Sequence, residues 1–279
     1  MRLDIALVQT RTPATPAAAL DHIAPLIREA AATGAQLILT PECANLMEAR
    51  ADYKAACVTS ENADVFIAGA RELARTLKKP ILIGSAIVRS DLDARVVNRT
   101  LLLDAAGEIT ARYDKIHLFD ADTPDGRSYR ESASVVPGGC AVVAETPWGG
   151  LGLSICYDVR FAYLYRALAK DGADMIAVPA AFTVPTGRAH WDVLLRARAI
   201  ETGCFLLAPA QGGSHEDGRV TYGHSLVAGP WGEVVARLDH DHPAVLTATL
   251  DLTEVAMARQ ALPQLMHDRN IRRGHEAGT

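Results

Sequence analysis

Cys156 closes the apolar run Leu151-Gly152-Leu153-Ser154-Ile155 and stands just ahead of a helical pattern that begins near Arg160. A thiol at such a strand-to-helix elbow sits at the carboxyl end of a strand, where α/β proteins place their sites. Nearby amide N–H groups and a helix start favour thiolate and could hold an oxyanion. The plain alternative is a small buried hydrophobe, as most free cysteines are. A cysteine that attacks an amide also needs a base for its own proton and a proton donor for the leaving nitrogen. Glu42 follows Gln36-Leu37-Ile38-Leu39-Thr40-Pro41, so it ends a strand in hydrophobic surroundings suited to a general base; taken alone it reads more readily as a surface loop residue, since Glu is mostly exposed. Lys115, in Tyr113-Asp114-Lys115-Ile116-His117-Leu118-Phe119-Asp120, is a cation among apolar and aromatic neighbours. It could hold a developing oxyanion as a fixed charge, or it could be a snorkelling strand-end lysine. His117, His190, His215 and His224 compete with Glu42 as the base, because a Cys-His pair is a common route to an activated thiol. Residue chemistry alone leaves that choice open. His240-Asp241-His242 lacks further ligands at zinc spacing, so no metal is assigned.

The elements that must position these residues follow from the hydrophobic pattern. Runs rich in Val, Ile and Leu alternate with helix-period segments, which predicts an α/β architecture. Strands are predicted over Leu3 to Gln9, Gln36 to Thr40, Ile81 to Val88, Val97 to Asp104, Ala141 to Glu145, Leu151 to Ile155, Asp174 to Pro179, Cys204 to Pro209, His224 to Gly229 and Val245 to Asp251. Helices are predicted over Pro16 to Thr33, Asn62 to Leu77, Arg160 to Lys170 and His190 to Thr202, with a shorter one from Thr253. Turn signals at Ala106-Gly107 and Trp231-Gly232 make some neighbours hairpins, so the sheets should be mixed.

A faint internal repeat organises these elements. Gly34-Ala35-Gln36-Leu37-Ile38-Leu39-Thr40-Pro41 resembles Gly172-Ala173-Asp174-Met175-Ile176-Ala177-Val178-Pro179, and Thr100 to Arg112 resembles Ser225 to Arg237. Two similar α/β halves packed as one domain over 1–279 follow, with two sheets facing each other between helical layers. Where the first half has Glu42 and Asp114-Lys115, the second has Ala180 and Asp239-His240. The carboxylate and the ammonium are therefore not required by the scaffold.

The chain has 279 residues, 49% hydrophobic and 22% charged, enough for a substantial core and ordinary for a globular enzyme. A net charge of −5 and no dense basic run give no footprint for nucleic acid, and the tail around Arg269, Arg272 and Arg273 is too short to change that. No apolar stretch approaches the ~18 residues of a membrane span. The N-terminus is an alternating strand pattern rather than a signal peptide. Five cysteines, at 43, 57, 140, 156 and 204, fit a reduced, cytoplasmic compartment better than a disulfide framework.

Three motifs together resemble the nitrilase-like carbon–nitrogen hydrolase superfamily, essentially end to end. They are Pro41-Glu42, the segment Asp114 to Asp120 around Lys115, and Gly152-Leu153-Ser154-Ile155-Cys156-Tyr157-Asp158-Val159-Arg160-Phe161. The resemblance implies a four-layer α-β-β-α sandwich and a Glu-Lys-Cys triad of Glu42, Lys115 and Cys156, with Glu42 as the base. It implies a second glutamate at Glu131, an oxyanion site completed by the Tyr157 backbone N–H, no cofactor, and at least a homodimer built through helices near the nucleophile.

The stretch Ala181-Phe182, then Thr186-Gly187-Arg188-Ala189-His190-Trp191, is similar to the amidase branch that acts on small dicarboxylic-acid monoamides. Within it, Ala210-Gln211-Gly212-Gly213 and Tyr222-Gly223-His224-Ser225 resemble amidases that cleave deaminated glutathione more than ω-amidases acting on 2-oxoglutaramate. Arg188 departs from a proline common there. A carboxylate-bearing amide needs a cation, and Arg160 is the candidate, with Phe182 and Thr183 lining the pocket. The other readings are a nitrilase or N-carbamoyl amidase using the same triad, and a catalytically idle binding or scaffold protein.

Overall fold

In a computed structural model the described residues are 1–91 and 94–269; Arg272 and Arg273, named above, lie outside them. The first half runs β1 (Arg2–Gln9), α1 (Pro16–Ala32), β2 (Leu37–Leu39), α2 (Ala51–Cys57), α3 (Val65–Leu77), β3 (Ile81–Arg89), β4 (Val96–Leu103) and β5 (Ile109–Asp114). A two-stranded ribbon, β6 (Asp120–Asp122) and β7 (Ser128–Arg130), leads across to the second half. There the order is β8 (Val142–Thr146), β9 (Gly149–Leu153), α4 (Ala162–Lys170), β10 (Ala173–Ala177), α5 (Val184–Thr202) and β11 (Phe205–Ala208). A second ribbon, β12 (Gly212–Ser214) and β13 (Val220–Tyr222), precedes β14 (Leu226–Ala228), β15 (Val234–Arg237), β16 (Ala244–Asp251) and α6 (Thr253–Ala261).

The two main sheets have the orders β16-β1-β2-β3-β4-β5 and β8-β9-β10-β11-β14-β15, the second read from its other edge. Each is antiparallel at the first pairing, parallel at the next two and antiparallel at the last two. The repeat read from the sequence is thus a topological repeat, in which β2 corresponds to β10 and the β4–β5 hairpin to β14–β15. Both sheets are mixed, as the turn signals required.

Strand alternation sets the layers. Leu3, Ile5 and Leu7 of β1, with Leu37 and Leu39 of β2, join Leu151, Leu153 and Met175 of the other sheet in one core. The intervening Ala6, Val8 and Ile38 face the opposite way and pack with Ile23 and Ile27 of α1 and Phe66 and Ala70 of α3. Leu164 and Leu168 of α4 and Trp191 and Leu195 of α5 cover the second sheet. The result is the four-layer α-β-β-α sandwich. Each fully buried Leu or Ile contributes about 1.5–3 kcal/mol, so the alternation is strongly specified.

Capping fixes the helices that flank the site. Asp64 Oδ1 accepts from Ile67 N at 3.0 Å to start α3, and its Oδ2 accepts from Asn45 Nδ2 at 3.0 Å, pinning the loop that follows Glu42. Gly203, at φ 60, ends α5 in the left-handed conformation. Gly84 marks the seam between the sheets: a Cβ there would lie 1.7 Å from Thr40 O and 2.5 Å from Pro179 Cβ. Only glycine lets the segments that follow β2 and β10 approach so closely.

Several predicted boundaries move. The strand expected to reach Ile155 stops at Leu153, and the helix expected from Arg160 starts at Ala162, because Cys156–Arg160 is a 3-10 turn. The helix expected from Asn62 likewise begins at Val65 behind a 3-10 turn, Glu61–Ala63. That expected from His190 begins at Val184: Pro185 suits a helix's first turn, and Gly187 is accommodated within the helix at a place where a Cβ would lie 2.3 Å from the Tyr222 ring. Among the described residues no helix is long and apolar enough to cross a membrane.

Candidate active site

Glu42 follows β2, Lys115 follows β5 and Cys156 follows β9, so the repeat brings one residue from each motif to the same end of the facing sheets. Lys115 is 2% exposed, and its Nζ donates to Glu42 Oε1 at 2.8 Å and to both carboxylate oxygens of Glu131, at 3.1 and 2.8 Å. Asn98 Nδ2 bridges the same two carboxylates, at 3.0 Å to Glu42 and 3.4 Å to Glu131. The second oxygen of Glu42 accepts from Ala181 N at 2.9 Å, and that of Glu131 from Phe119 N at 2.6 Å. Every carboxylate oxygen in the cluster is therefore held, which fixes the direction in which Glu42 and Lys115 present their charges.

Burial opposes the ammonium of Lys115, but the carboxylates of Glu131 and Glu42 outweigh it and hold its pKa well above the usual 10.5. Burial alone would raise Glu131; the charge of Lys115 beside it reverses this and lowers it below the usual 4.5. Burial also pushes the Cys156 thiol up, and the negative charge of Glu42 pushes it further above the usual 9.0, with Lys115 opposing only in part. This corrects the expectation that the elbow favours thiolate. A single 3-10 turn supplies too little dipole to offset burial beside a carboxylate, so the resting group is the neutral thiol.

The elbow is shaped by Asp158, whose role was missed in the sequence. Its carboxylate is fully buried and accepts four hydrogen bonds: Ile155 N at 2.9 Å and Tyr113 Oη at 2.7 Å on Oδ2, and His117 N at 3.0 Å and His117 Nδ1 at 2.7 Å on Oδ1. These contacts and the bond from Cys156 N to Pro179 O at 2.9 Å hold Cys156 at φ 48, a left-handed conformation unusual for a residue with a side chain. The signal available in the sequence was an acid two residues past the cysteine, too local to separate from an ordinary turn.

His117, one of the rival bases, is thereby committed to Asp158; its ring stacks on Phe161 at 3.6 Å and reaches the Tyr163 hydroxyl through Nε2. His215 is buried against Thr221 and Thr12, and burial lowers its pKa to about 4. His224 stacks on Tyr222, and His190 accepts from both terminal nitrogens of Arg160 at 3.3 Å. His240 and His242 stack on each other, and their carbonyls accept from Gln9 Nε2. Among the described residues no group of three or more His, Cys, Asp or Glu side chains could hold a metal ion.

A cavity of about 330 Å³ opens over the cluster. Glu42, Lys115, Glu131 and Cys156 line it together with Tyr157, Arg160, Phe182 and Thr183, so one cavity gathers all eight residues named from the sequence. Arg160 faces the Phe182 ring at 5.5 Å and the Tyr157 ring at 5.8 Å. Further lining comes from Lys54, Arg219 and Tyr129, which the sequence reading did not single out.

The carbon-nitrogen hydrolase family signature matches residues 4–260. The chain belongs to this family. It is a hydrolase acting on C–N bonds. The deaminated glutathione amidase of Yersinia enterocolitica is 41% identical to it over 242 residues, 86% of this chain and 84% of that protein. The Caenorhabditis elegans NitFhit protein superposes with a TM-score of 0.88 at 34% identity, over 96% of this hydrolase and 65% of that longer chain. A variant of the amidase from Nesterenkonia sp. AN1, solved after Michael addition of acrylamide at its active site cysteine, is 30% identical with a TM-score of 0.76, over 94% of this hydrolase and 98% of that chain. Proteins named amidases are thus among its relatives in both sequence and fold.

Proposed function

We propose that the hydrolase is a cysteine-dependent amidase that cleaves a small carboxylate-bearing amide, deaminated glutathione, through a thioester on Cys156. The observation that carries this is the buried cluster in which Lys115 lies 2.8 Å from both Glu42 and Glu131 on the floor of the Cys156 cavity. An ammonium held by two carboxylates stays charged at neutral pH, and a neutral thiol beside Glu42 needs a base to become a nucleophile.

In this reading Glu42 takes the Sγ proton as the sulfur attacks the amide carbon. The Lys115 ammonium and the Tyr157 N–H hold the carbonyl oxygen as it becomes an oxyanion. Glu42 returns the proton to the nitrogen, the C–N bond breaks, and the amine leaves with Cys156 acylated. Glu42 then takes a proton from water, which attacks the thioester; the acid departs and the thiol is restored. Glu131 positions Lys115. Arg160 binds the carboxylate of the acyl chain, while Phe182 and Thr183 shape the pocket around it. No step requires a cofactor.

We further take the hydrolase as one catalytic unit over 1–279, cytoplasmic, and at least a homodimer through α4 and α5, whose Tyr163, Val193 and Ile200 are exposed. Steady-state assays with deaminated glutathione, 2-oxoglutaramate, a nitrile and an N-carbamoyl amino acid test the substrate. Deaminated glutathione is expected to give the highest kcat/KM. A preference for 2-oxoglutaramate, or for the nitrile or carbamoyl compound, would reassign it.

A further inference from the structure

The charges lining the cavity do not all balance within the protein. Each of its carboxylates has a cation beside it: Glu48 is bound by Arg50 in a bidentate pair, at 2.9 and 2.5 Å, and Glu42 and Glu131 share the one ammonium of Lys115. Two of its cations are matched as well, Arg130 to Asp122 at 2.9 Å and Arg219 to Asp217 at 2.6 Å. Lys54 and Arg160 are different. Among the described residues neither has a carboxylate within ion-pair distance, and Lys54 makes no hydrogen bond through its ammonium. Arg160 is already given to the carboxylate of the acyl chain, which leaves Lys54 as the cation without an ion-pair partner.

Lys54 belongs to α2, a seven-residue helix with no buried side chain and no side-chain cap. Such a helix gains little from packing, yet it turns its lysine half-inward to line the cavity. Burial lowers the pKa of that ammonium, with Cys43 and Glu131 opposing and Arg219 adding to the fall. Arg219 spends its Nε on Asp217, and its terminal nitrogens meet no acceptor among the described residues. An ammonium with no ion-pair partner and a guanidinium with spare terminal nitrogens, both lining one cleft, can hold an anion, because a bound carboxylate offsets the desolvation of the ammonium and accepts from both groups.

We propose that Lys54 and Arg219 form a second carboxylate-binding site, separate from Arg160, which fits the cavity to amides with an anionic group on each side of the scissile bond. Arg160, carried on the nucleophile's own 3-10 turn, holds the carboxylate of the acyl chain that remains on Cys156. Lys54 and Arg219, carried on α2 and the loop before β13, hold the carboxylate of the departing amine. The proposal rests on the amidase reading above and deepens it. It gives a physical reason for preferring deaminated glutathione, whose leaving amine ends in a carboxylate, over 2-oxoglutaramate, whose leaving group is ammonia.

The test compares the full-length protein with Lys54→Gln, Lys54→Arg and Arg219→Gln on those two substrates. The readout is the ratio of their kcat/KM values. Lys54→Gln should lower that ratio roughly tenfold to a hundredfold, as expected for losing a charge-assisted hydrogen bond, with Lys54→Arg restoring most of it and Arg219→Gln falling between. A ratio unchanged by Lys54→Gln, or one that Lys54→Arg fails to restore, overturns the proposal. Calorimetric binding of both compounds to Cys156→Ala protein reads the site without turnover. There, adding Lys54→Gln should weaken deaminated glutathione at least tenfold more than 2-oxoglutaramate, in keeping with one lost charged contact. Equal weakening, or no binding of deaminated glutathione at all, also overturns it. Because this arm is independent of chemistry, a failure of the thioester mechanism is distinguishable from a failure of the second site.

Discussion

Replacing Asp158 by Asn changes one oxygen into an NH2 group without changing shape, and the geometry sets the cost. Each carboxylate oxygen of Asp158 accepts two hydrogen bonds, and each pair includes one backbone N–H, Ile155 N on Oδ2 or His117 N on Oδ1. The Tyr113 hydroxyl can rotate and the His117 ring can change tautomer to accept from the new NH2; a backbone N–H can do neither. Whichever way the amide turns, one buried N–H therefore faces a donor. That alone costs about 1–3 kcal/mol, and the surviving bonds lose their charge assistance, so about 2–4 kcal/mol of stability should disappear. Urea unfolding should show a lower midpoint with an unchanged slope. Because Ile155 N anchors the residue before the nucleophile, the left-handed elbow loosens, and kcat should fall by about 10²-fold, as displacements near 1 Å do. An Asp158→Asn protein that unfolds at the native urea concentration with native kcat would refute this account of the elbow.

Two other substitutions separate the charges of the cluster. Lys115→Met leaves Glu42 and Glu131 facing each other without a cation. In the native protein Glu131 sits below its usual 4.5, so its pairing stabilises above that pH and is lost as pH falls through the lowered value. In the variant burial acts on Glu131 without the opposing ammonium, so Glu131 should titrate upward and stability should rise on acidification from pH 8 to 5; a variant with the native pH trend in chemical unfolding would contradict the pairing. Glu42→Gln should abolish amidase turnover yet lower the pH at which Cys156 is alkylated by iodoacetamide, since the charge that pushes the thiol up is gone. A thiol titration shifted upward, or turnover preserved, would contradict the role given to Glu42.

The parts of this protein legible in the sequence are those written in long periodic patterns. The repeat around Gly34–Pro41 and Gly172–Pro179 foretold the corresponding places of β2 and β10, because a helix, a Gly-Ala turn and a buried strand leave a strong trace. Glu42 and Cys156 stood out by their positions at strand ends and Lys115 by its apolar and aromatic neighbours, and one cavity holds all three. What escaped is local and short. The Cys156–Arg160 turn has no period to detect, so the role of Asp158 was hidden. Helix α2 buries nothing, so no apolar stripe announced it, and Lys54 went unnoticed with it. Asn98 read as one more polar residue in a strand; only the fold sets it between Glu42 and Glu131.

Covalent acylation of Cys156 is the step on which every other role depends. Intact-protein mass spectrometry, quenched in acid during turnover of deaminated glutathione and followed by peptide mapping, observes it directly. The expected result is a mass increase equal to the acyl chain, confined to the peptide containing Cys156 and absent from Cys156→Ala, which should also lack turnover. An acyl group on another residue, or native turnover by Cys156→Ala, would contradict it.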